Sequence, residues 1–523
     1  MDGLMMDRPL LIRDIAERAE RLFTDREIVS RTHDGVERST YGEVVNRARR
    51  IASSLQQLGV KPGDRVATFG WNSRRHLELY LAVPSMGAVL HTLNIRLFED
   101  DVRYIVEHAQ DKVIFLDASL AEVMPRFDGV EHEILMPDAD GTREGALDYE
   151  QLVSDGDETF DFPDDLDERT AAALCYTSGT TGKPKGVLYS HRSTVLHAIG
   201  ANQADGLGLS QNDSVMPVVP MFHVNAWGLP YIATTAGARL VMPGPRMTPG
   251  DLAELIRSEN VTFSAGVPTI WQGMMRLDPA PDLSSLNEIV CGGSAVPESL
   301  IRGFEERFGV PIVQAWGMTE TSPLASISRL GPDAPDDEDE RLRLRATQGR
   351  VVPLMDFMID EESGGELLVR GPWVACAYYE DDSQQEKFEG GWLRTGDVAE
   401  LVDGSFLKLV DRTKDLVKSG GEWISSVELE NVVMAHPKVM EAAVVAVPDD
   451  EWGERPCACV VPCEGEELDA DELRSFLSER VAKWWIPDRI EFIDEVPKTS
   501  VGKFDKKVLR KRLAEEAAGE SAG

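Results

Sequence analysis

The sequence is poor in cysteine, in lysine and in long apolar runs. Six cysteines among 523 residues are too few for a disulfide scaffold, so we expect a reducing compartment. No apolar run reaches the roughly 18 residues that a membrane-spanning helix needs. The first residues form an acid-containing amphipathic segment, which is not typical of a signal peptide. These features predict a cytoplasmic protein without integral membrane association.

Basic residues are also scarce relative to acidic ones. Asp and Glu number 91 against 54 Lys and Arg, which gives a formal net charge of −37, and only 15 of the basic residues are lysines. This charge repels polyanions, so we expect no nucleic-acid partner. An acid-rich, lysine-poor surface is typical of a salt-adapted protein, because screening by concentrated salt removes self-repulsion. An ordinary acidic enzyme is the alternative.

Three of the six cysteines, Cys457, Cys459 and Cys463, lie in the run CACVVPC. A metal site is one interpretation of this spacing. The alternation of side chains favours a strand instead, and no second Cys or His pair is close in sequence.

Strand and helix patterns alternate along most of the chain, for example at residues 65–69, 75–83, 112–116 and 239–265. This alternation is typical of parallel α/β layers. The pattern of strands and helices changes near residue 410, and the short strands and helices after it form a unit of α+β type. We therefore predict a large N-terminal domain, residues 1–410, and a small C-terminal domain, residues 411–523.

A loop rich in glycine and hydroxyl residues follows the apolar strand 171–175. It reads YTSGTTGKPKG, from Tyr176 to Gly186. Its glycines allow close approach of an anion, its hydroxyl and backbone N–H groups can donate hydrogen bonds, and two lysines add positive charge. The spacing differs from that of the P-loop, and Pro184 disfavours the helix start that a P-loop requires. The loop predicts a site for a nucleotide polyphosphate.

This loop resembles the signature loop of the adenylate-forming superfamily, which contains acyl-CoA synthetases, luciferases and peptide-synthetase adenylation domains. Five further segments resemble family motifs in the family's order: GGSAVP at 292–297, QAWGMTET at 314–321, RTGD at 394–397, DRTKDLVKSGGE at 411–422 and PKTSVGK at 497–503. The resemblance implies an α/β N-terminal domain of parallel-sheet layers with a β subdomain, and a C-terminal domain that is mobile.

The resemblance also implies a two-step reaction. A carboxylate attacks the α-phosphate of ATP to give acyl-AMP and pyrophosphate, and the thiol of CoA then displaces AMP. Such chemistry needs aligned reactants and neutralised charge more than a protein nucleophile. The implied catalytic residues are Lys503, Glu320 and His223. Thr177 and Glu320 are the implied ligands of Mg²⁺, a cation that prefers oxygen donors.

The implied ATP- and AMP-binding residues surround these groups. Asp397 would accept hydrogen bonds from the ribose hydroxyls, and Trp316 would present a flat face to adenine. Ala315 precedes Trp316 where close relatives often have glycine, so the sequence departs from the family pattern at the adenine pocket. The full set is Thr177, Ser178, Gly179, Thr180, Thr181, Lys185, Gly293, Ser294, Gln314, Ala315, Trp316, Thr319, Asp397, Arg412 and Lys414.

Asp411 is the implied hinge of the C-terminal domain. The segment after it would meet CoA through Lys418, Gly420, Gly421 and Trp423, since the two glycines let the backbone approach the pantetheine arm. The implied acyl pocket comprises Trp227, a gate residue in fatty-acid CoA ligases, with Val224, Gly266 and Val267. Core packing is the alternative for Trp227, and a buried structural histidine is the alternative for His223.

The segments 218–228 and 266–271 contain no Arg or Lys, which favours an apolar acyl tail. The chain most resembles medium- and long-chain fatty-acid CoA ligases. A ligase for 3-methylthiopropanoate or another short acid is the alternative. Adenylation that feeds another acceptor and an inactive binding protein are further alternatives. The N-terminal face of Leu11, Ile12, Ile15 and Leu22 packs on the body or on a second subunit, and the resemblance implies a homodimer.

Overall fold

The computed structural model describes residues 1, 3–177, 183–419, 422–449, 452–463, 465–498 and 504–520. Over these residues the chain forms 15 α-helices and 25 β-strands. In chain order, the helices α1 to α15 are Ile12–Leu22, Tyr41–Gln57, Arg74–Ser85, Glu99–Ala109, Tyr149–Asp155, His191–Ala201, Val224–Trp227, Leu229–Ala236, Pro249–Glu259, Pro268–Met275, Glu298–Phe308, Glu338–Arg345, Ser426–Met434, Ala470–Ser478 and Lys506–Glu520.

The strands form four sheets. In chain order, β1 to β25 are Glu27–Arg31, Val36–Thr40, Arg65–Phe69, Val89–Thr92, Val113–Asp117, His132–Met136, Leu147–Asp148, Ala171–Tyr176, Gly186–Ser190, Ser214–Pro217, Arg239–Met242, Phe263–Gly266, Glu288–Cys291, Ile312–Gly317, Leu324–Ile327, Arg350–Val351, Asp356–Asp360, Glu366–Arg370, Leu393–Val402, Phe406–Arg412, Val417–Ser419, Glu422–Ile424, Val439–Asp449, Gly453–Pro462 and Arg489–Phe492.

Two largely parallel sheets build the N-terminal domain. The seven-stranded sheet has the order β7-β6-β5-β3-β4-β8-β9, and only the β8–β9 pair is antiparallel. The nine-stranded sheet has the order β16-β15-β14-β13-β12-β10-β11-β1-β2 and is parallel from β14 to β1. Buried strands such as β5, VIFLD, are apolar almost throughout because helices cover both faces of a parallel sheet. The predicted α/β layers are confirmed.

Helix α2 illustrates how the local sequence sets these elements. Thr40 accepts a hydrogen bond from the backbone N–H of Glu43, and the Glu43 side chain accepts one from the N–H of Thr40. This capping box satisfies two of the amide donors at the helix start. Gly59, with φ of +84°, follows the C-terminal end of the helix.

A four-stranded antiparallel sheet, β17-β18-β19-β20, is the predicted β subdomain. After it, strands β21 to β25 form a five-stranded sheet packed with α13, α14 and α15, which is the smaller C-terminal domain. Cys457 and Cys459 lie buried on β24, as the strand interpretation predicts. Within the described part of the chain, no cluster of His, Cys, Asp or Glu side chains could hold a metal ion by itself.

The N-terminal helix packs on the body of the protein. Leu11, Ile12 and Ile15 are buried, and Arg18 donates a hydrogen bond to the carbonyl of Thr235 in α8. Leu22, at the last turn, is 54% exposed and does not pack on the body, so its packing on a second subunit stays a prediction. Across the described ranges, no helix combines the length and apolarity that a membrane crossing demands.

Candidate active site

The hairpin of β8 and β9 presents the predicted phosphate residues. The backbone N–H of Thr177 donates to the carbonyl of Lys185 over 2.9 Å, and the N–H of Lys185 donates to Oγ1 of Thr177 over 3.1 Å. These two bonds close the base of the loop between them. Ser178, Gly179, Thr180 and Thr181 lie outside the described residues, so their predicted role stays a prediction.

Glu320 lies in a short 3₁₀ turn, Thr319–Thr321, directly after β14. Its side chain is buried, and Oε1 accepts a hydrogen bond of 2.5 Å from the hydroxyl of Tyr378. Oε2 receives no hydrogen bond from the residues that the structure describes. Thr319 is anchored from the hairpin, because the hydroxyl of Tyr189 on β9 donates to its carbonyl over 2.7 Å. The turn that carries Glu320 is therefore packed against the phosphate hairpin.

The predicted adenine-side residues also meet. Oε1 of Gln314 accepts from the N–H of Val296 over 2.9 Å, while its buried amide nitrogen has no hydrogen-bond partner among the described residues. Gly292 lies so close to β14 that an added Cβ would be 2.6 Å from the carbonyl oxygen of Ala315. A glycine is required here for close packing. Gly293 and Ser294 follow it, and Ser294 is exposed.

Asp397 on β19 joins two of the predicted residues. Oδ2 accepts a hydrogen bond from the indole Nε1 of Trp316 over 3.1 Å, and Oδ1 lies 3.1 Å from Nε of Arg412. Asp397 and Trp316 are almost fully buried, whereas the Arg412 side chain is 45% exposed. The charge of Asp397 raises the pKa of Arg412. The structure thus brings together the residues predicted for adenine and ribose.

The acyl segment has an unusual backbone. Val224, Asn225, Ala226 and Trp227 have φ values of 45°, 50°, 51° and 58°, and Gly228 continues with 75°. The four-residue element α7 is therefore a left-handed turn and not a right-handed helix, and each such L-residue costs roughly 1–2 kcal/mol. Consecutive strained residues are found mostly at functional sites. The turn is buried except at Trp227, whose ring lies 3.4 Å from the position of a Cβ at Gly292.

His223 precedes this turn and is half-buried, and Gly266 and Val267 lie at the end of β12. The neighbouring segments have no basic residue of their own, but the fold adds one that the sequence pattern does not reveal. The guanidinium of Arg96 lies 5.7 Å from the ring centre of the buried Phe222. The acyl segment is therefore not wholly isolated from positive charge.

Asp411 connects the β subdomain to the C-terminal domain. It is the last residue but one of strand β20, directly before Arg412, and is buried. Oδ2 accepts hydrogen bonds from the N–H and the hydroxyl of Ser426, at 2.5 and 2.6 Å, at the start of α13. Lys506 donates to the same hydroxyl over 2.6 Å and pairs with Glu430 over 2.7 Å. Burial raises the pKa of Asp411, although Lys506 opposes this shift.

The other predicted residues of the C-terminal domain lie at its surface. Lys414 is exposed, and Lys418 lies with its ammonium 5.3 Å from the ring of Trp423, which is 51% exposed. The backbone N–H of Lys418 donates to Glu454, a contact within the same domain. Among the described residues, the side chain of Trp423 contacts Lys418 of its own domain, whereas the side-chain contacts of Asp397 are to Trp316 and Arg412. Lys503, Gly420 and Gly421 lie outside the described residues.

Sequence reasoning missed two groups of residues next to the site. Tyr378 contacts Glu320, and Asp381 pairs with Lys185. Behind the phosphate hairpin, Nδ1 of His108 lies 2.7 Å from the hydroxyl of Tyr176. Tyr378, Asp381 and His108 come from segments in which the sequence analysis identified no motif. The two adjacent tyrosines, Tyr378 and Tyr379, were the available signal.

The fold is a large α/β domain followed by a smaller C-terminal domain, and comparisons with known proteins identify its family. Residues 15–379 match the family described as AMP-binding enzyme, and residues 428–503 match the AMP-binding enzyme C-terminal domain. The chain belongs to the AMP-binding enzyme family. The anthranilate CoA ligase AuaEII, solved with anthranoyl-AMP, superposes with a TM-score of 0.88 at 26% identity, covering 98% of this chain and 99% of that one.

Two relatives that are named as CoA ligases match over almost their whole length. The long-chain-fatty-acid–CoA ligase of Thermus thermophilus is 46% identical, covering 97% of this chain and 96% of the relative. The 3-methylmercaptopropionyl-CoA ligase of Ruegeria pomeroyi is 44% identical, covering 99% and 100%. The protein is thus an acyl-CoA ligase of the adenylate-forming type, with an acid, ATP and CoA as its substrates.

Proposed function

We propose that the protein activates a medium- or long-chain fatty acid with ATP to acyl-AMP and pyrophosphate, and then transfers the acyl group to CoA. The observation that carries this proposal is the full-length similarity to fatty-acid CoA ligases, 46% to the Thermus relative and 43% to the medium-chain enzyme of Ectopseudomonas oleovorans. The apolar composition of the segments 218–228 and 266–271 supports it.

In the first half-reaction, we assign the phosphates of ATP to the hairpin of Thr177 and Lys185 and the ribose to Asp397. Trp316 would stack on adenine while its Nε1 holds Asp397 in place. Lys503 would stabilise the negative charge that develops when the carboxylate oxygen attacks the α-phosphate. Pyrophosphate then leaves. His223 would lie near the acyl carboxylate.

The site also suits Mg²⁺. Glu320 is a buried carboxylate with one oxygen fixed by Tyr378, and Thr177 adds a hydroxyl. A hard cation that completes its ligands from phosphate oxygens and water fits such a pair. Bound there, Mg²⁺ would neutralise phosphate charge.

For the second half-reaction, we propose that the C-terminal domain is mobile and turns about Asp411, with residues 1–410 and 411–523 as the two parts. The loop 418–421 and Trp423 would then meet CoA. We further propose that Trp227 gates the acyl pocket, that the protein works in the cytoplasm as a homodimer, and that it is adapted to salt.

A ligase for 3-methylthiopropanoate is the second candidate, favoured by the 44% identity to the Ruegeria enzyme over its entire length. A substrate panel separates the two candidates. AMP and thioester formation would be measured at high KCl with acids from acetate to palmitate, 3-methylthiopropanoate and benzoate, with and without CoA. CoA-dependent AMP release that peaks at medium or long chains is the expected result. A peak at 3-methylthiopropanoate would overturn the fatty-acid assignment, and ADP in place of AMP would overturn the mechanism.

A further inference from the structure

A short segment that no motif identified crosses the phosphate hairpin. Residues 378–383, which we name the crossing segment, fold back on themselves through a bridge between Tyr378 and Asp381, with Glu380 in a left-handed conformation at φ 48°. The N–H of Tyr379 donates to the carbonyl of Gly186 at the start of β9 over 2.8 Å. The crossing segment is therefore fixed to the same hairpin that carries Lys185.

Tyr378 connects the crossing segment to Glu320. Its buried hydroxyl donates to Oε1 of Glu320 over 2.5 Å, and Nζ of Lys387 lies 3.4 Å from the same hydroxyl. The ring packs edge-on against Phe388, with the centres 5.2 Å apart. The hydroxyl of Tyr378 thereby holds Oε1 of Glu320, and Oε2 is left for a different partner.

Asp381 engages the lysine of the phosphate loop. Oδ2 of Asp381 lies 3.1 Å from Nζ of Lys185, and the same ammonium lies 5.1 Å from the ring centre of Tyr378. The N–H of Ser383 donates to Oδ1 over 2.8 Å. Ser383 and then Lys185 lower the pKa of Asp381 to about 2, so this carboxylate is charged at neutral pH. The carboxylate of Asp381 is thus paired with the ammonium of Lys185, the group that the phosphates of ATP would need.

We propose that two residues of the crossing segment act on the nucleotide site: Tyr378 positions Glu320, and Asp381 is the counter-ion that the phosphates of ATP displace from Lys185. This inference rests on the proposed function, because it takes Lys185 and Glu320 as ligands of the phosphates and their cation. It assigns the two residues opposite effects on ATP. Tyr378 favours binding by orienting a carboxylate, whereas Asp381 competes with the phosphates.

Two variants test these opposite effects on ATP binding, and the readout is binding rather than turnover. Binding of the non-cleavable analogue α,β-methylene-ATP would be measured by calorimetry at a series of Mg²⁺ concentrations. Asp381→Asn should tighten binding by about threefold, since a partly exposed ion pair that opposes binding is lost. Tyr378→Phe should weaken binding by about fivefold, since one hydrogen bond to a charged group is lost, and should raise the Mg²⁺ concentration that is required.

Each variant has a matched neighbour as control. Asp382 is exposed and accepts from Gln385, so Asp382→Asn removes the same charge without touching Lys185. Tyr379→Phe removes a hydroxyl one position from Tyr378. Both controls should bind the analogue like the unaltered protein. The inference is overturned if Asp381→Asn matches Asp382→Asn, or if Tyr378→Phe binds like Tyr379→Phe. Failure of the unaltered protein to bind the analogue would instead overturn the proposed function.

Discussion

The indole nitrogen of Trp316 donates a hydrogen bond to Asp397 across 3.1 Å, and this contact joins β14 of the nine-stranded sheet to β19 of the β subdomain. A buried carboxylate is costly unless it is paired. Here Oδ2 is satisfied by the indole and Oδ1 faces the guanidinium of Arg412. The residue proposed for ribose is therefore oriented by the residue proposed for adenine.

Asp397→Asn should raise the KM for ATP by about tenfold, because a charged acceptor contributes roughly 1.5–3 kcal/mol and a neutral amide contributes less. The maximal rate should fall much less. Initial rates of pyrophosphate exchange against ATP concentration would measure both. Asp403→Asn is the control, since Asp403 is exposed in a turn with φ of 51°, where asparagine is well tolerated. An unchanged KM in Asp397→Asn would contradict the ribose assignment.

The sequence could predict that Trp316 and Asp397 lie near each other, but not that they form a hydrogen bond. The family motifs place both residues at the nucleotide, whereas the hydrogen bond depends on how two sheets pack. The same holds for Tyr378 and Asp381. Neither lies in a recognised motif, and their roles emerge only because the crossing segment is pinned to Gly186. Element types followed from periodicity, as in β3, which spans Arg65–Phe69 as predicted.

The left-handed turn at Val224–Trp227 was beyond sequence reasoning for a different reason. Its residues are Val, Asn, Ala and Trp, and of these only Asn commonly adopts positive φ. Tertiary packing around the turn overrides local preference. Sequence patterns report preference, so strained segments are where they fail.

Lys503→Ala should lower adenylation by several orders of magnitude while it largely spares thioester formation from supplied acyl-AMP. The reason is that the ammonium meets the negative charge of the first step only. The two half-reactions would be measured separately, by pyrophosphate exchange and by thioester formation. Lys507→Ala is the matched control, since Lys507 is an exposed lysine of α15 in the same basic run. Near-normal adenylation in Lys503→Ala would defeat the assignment.

Asp411→Pro should slow one half-reaction far more than the other, because proline fixes φ at the proposed hinge. Asp411→Asn serves as its partner variant: it leaves φ free and keeps an oxygen that can accept from Ser426. Single-turnover rates of both steps would be compared in both variants. If Asp411→Pro slows the two steps by the same factor, the residue is a structural link between domains and not a hinge.

Thermal midpoint and activity should both rise with KCl into the molar range. With a net charge of −37, like charges repel over the whole surface, and the screening length falls from about 10 Å at 0.1 M salt to about 3 Å at 1 M. Differential scanning calorimetry and rates at 0.1, 0.5, 1 and 2 M KCl would measure the effect. Sucrose, which stabilises proteins without screening charge, is the control. A midpoint that stays level or falls as KCl increases would refute salt adaptation.

Three buried histidines should make the fold sensitive to acid. Burial lowers the pKa of His76 and of His191 to about 4 and that of His197 to about 3. Since an unfolded histidine titrates near 6.5, the unfolded chain binds more protons below that pH. The stability that neutral imidazoles confer is complete above about pH 7 and is lost as the pH falls toward 4. When the pH falls from 7 to 5, each of these three histidines should lower the free energy of unfolding by about 2 kcal/mol.

His76→Gln tests this dependence in one residue. The imidazole lies 2.9 Å from the hydroxyl of Thr68 and 3.0 Å from the carbonyl of Trp71, and glutamine can both accept and donate there without gaining a proton. Urea unfolding at pH 7 and pH 5 should show that this variant loses about 2 kcal/mol less than the unaltered protein. His132→Gln, at a partly exposed position on β6, should lose as much as the unaltered protein. If the unaltered protein, His76→Gln and His132→Gln all lose the same unfolding free energy between pH 7 and pH 5, His76 is not buried as a neutral ring.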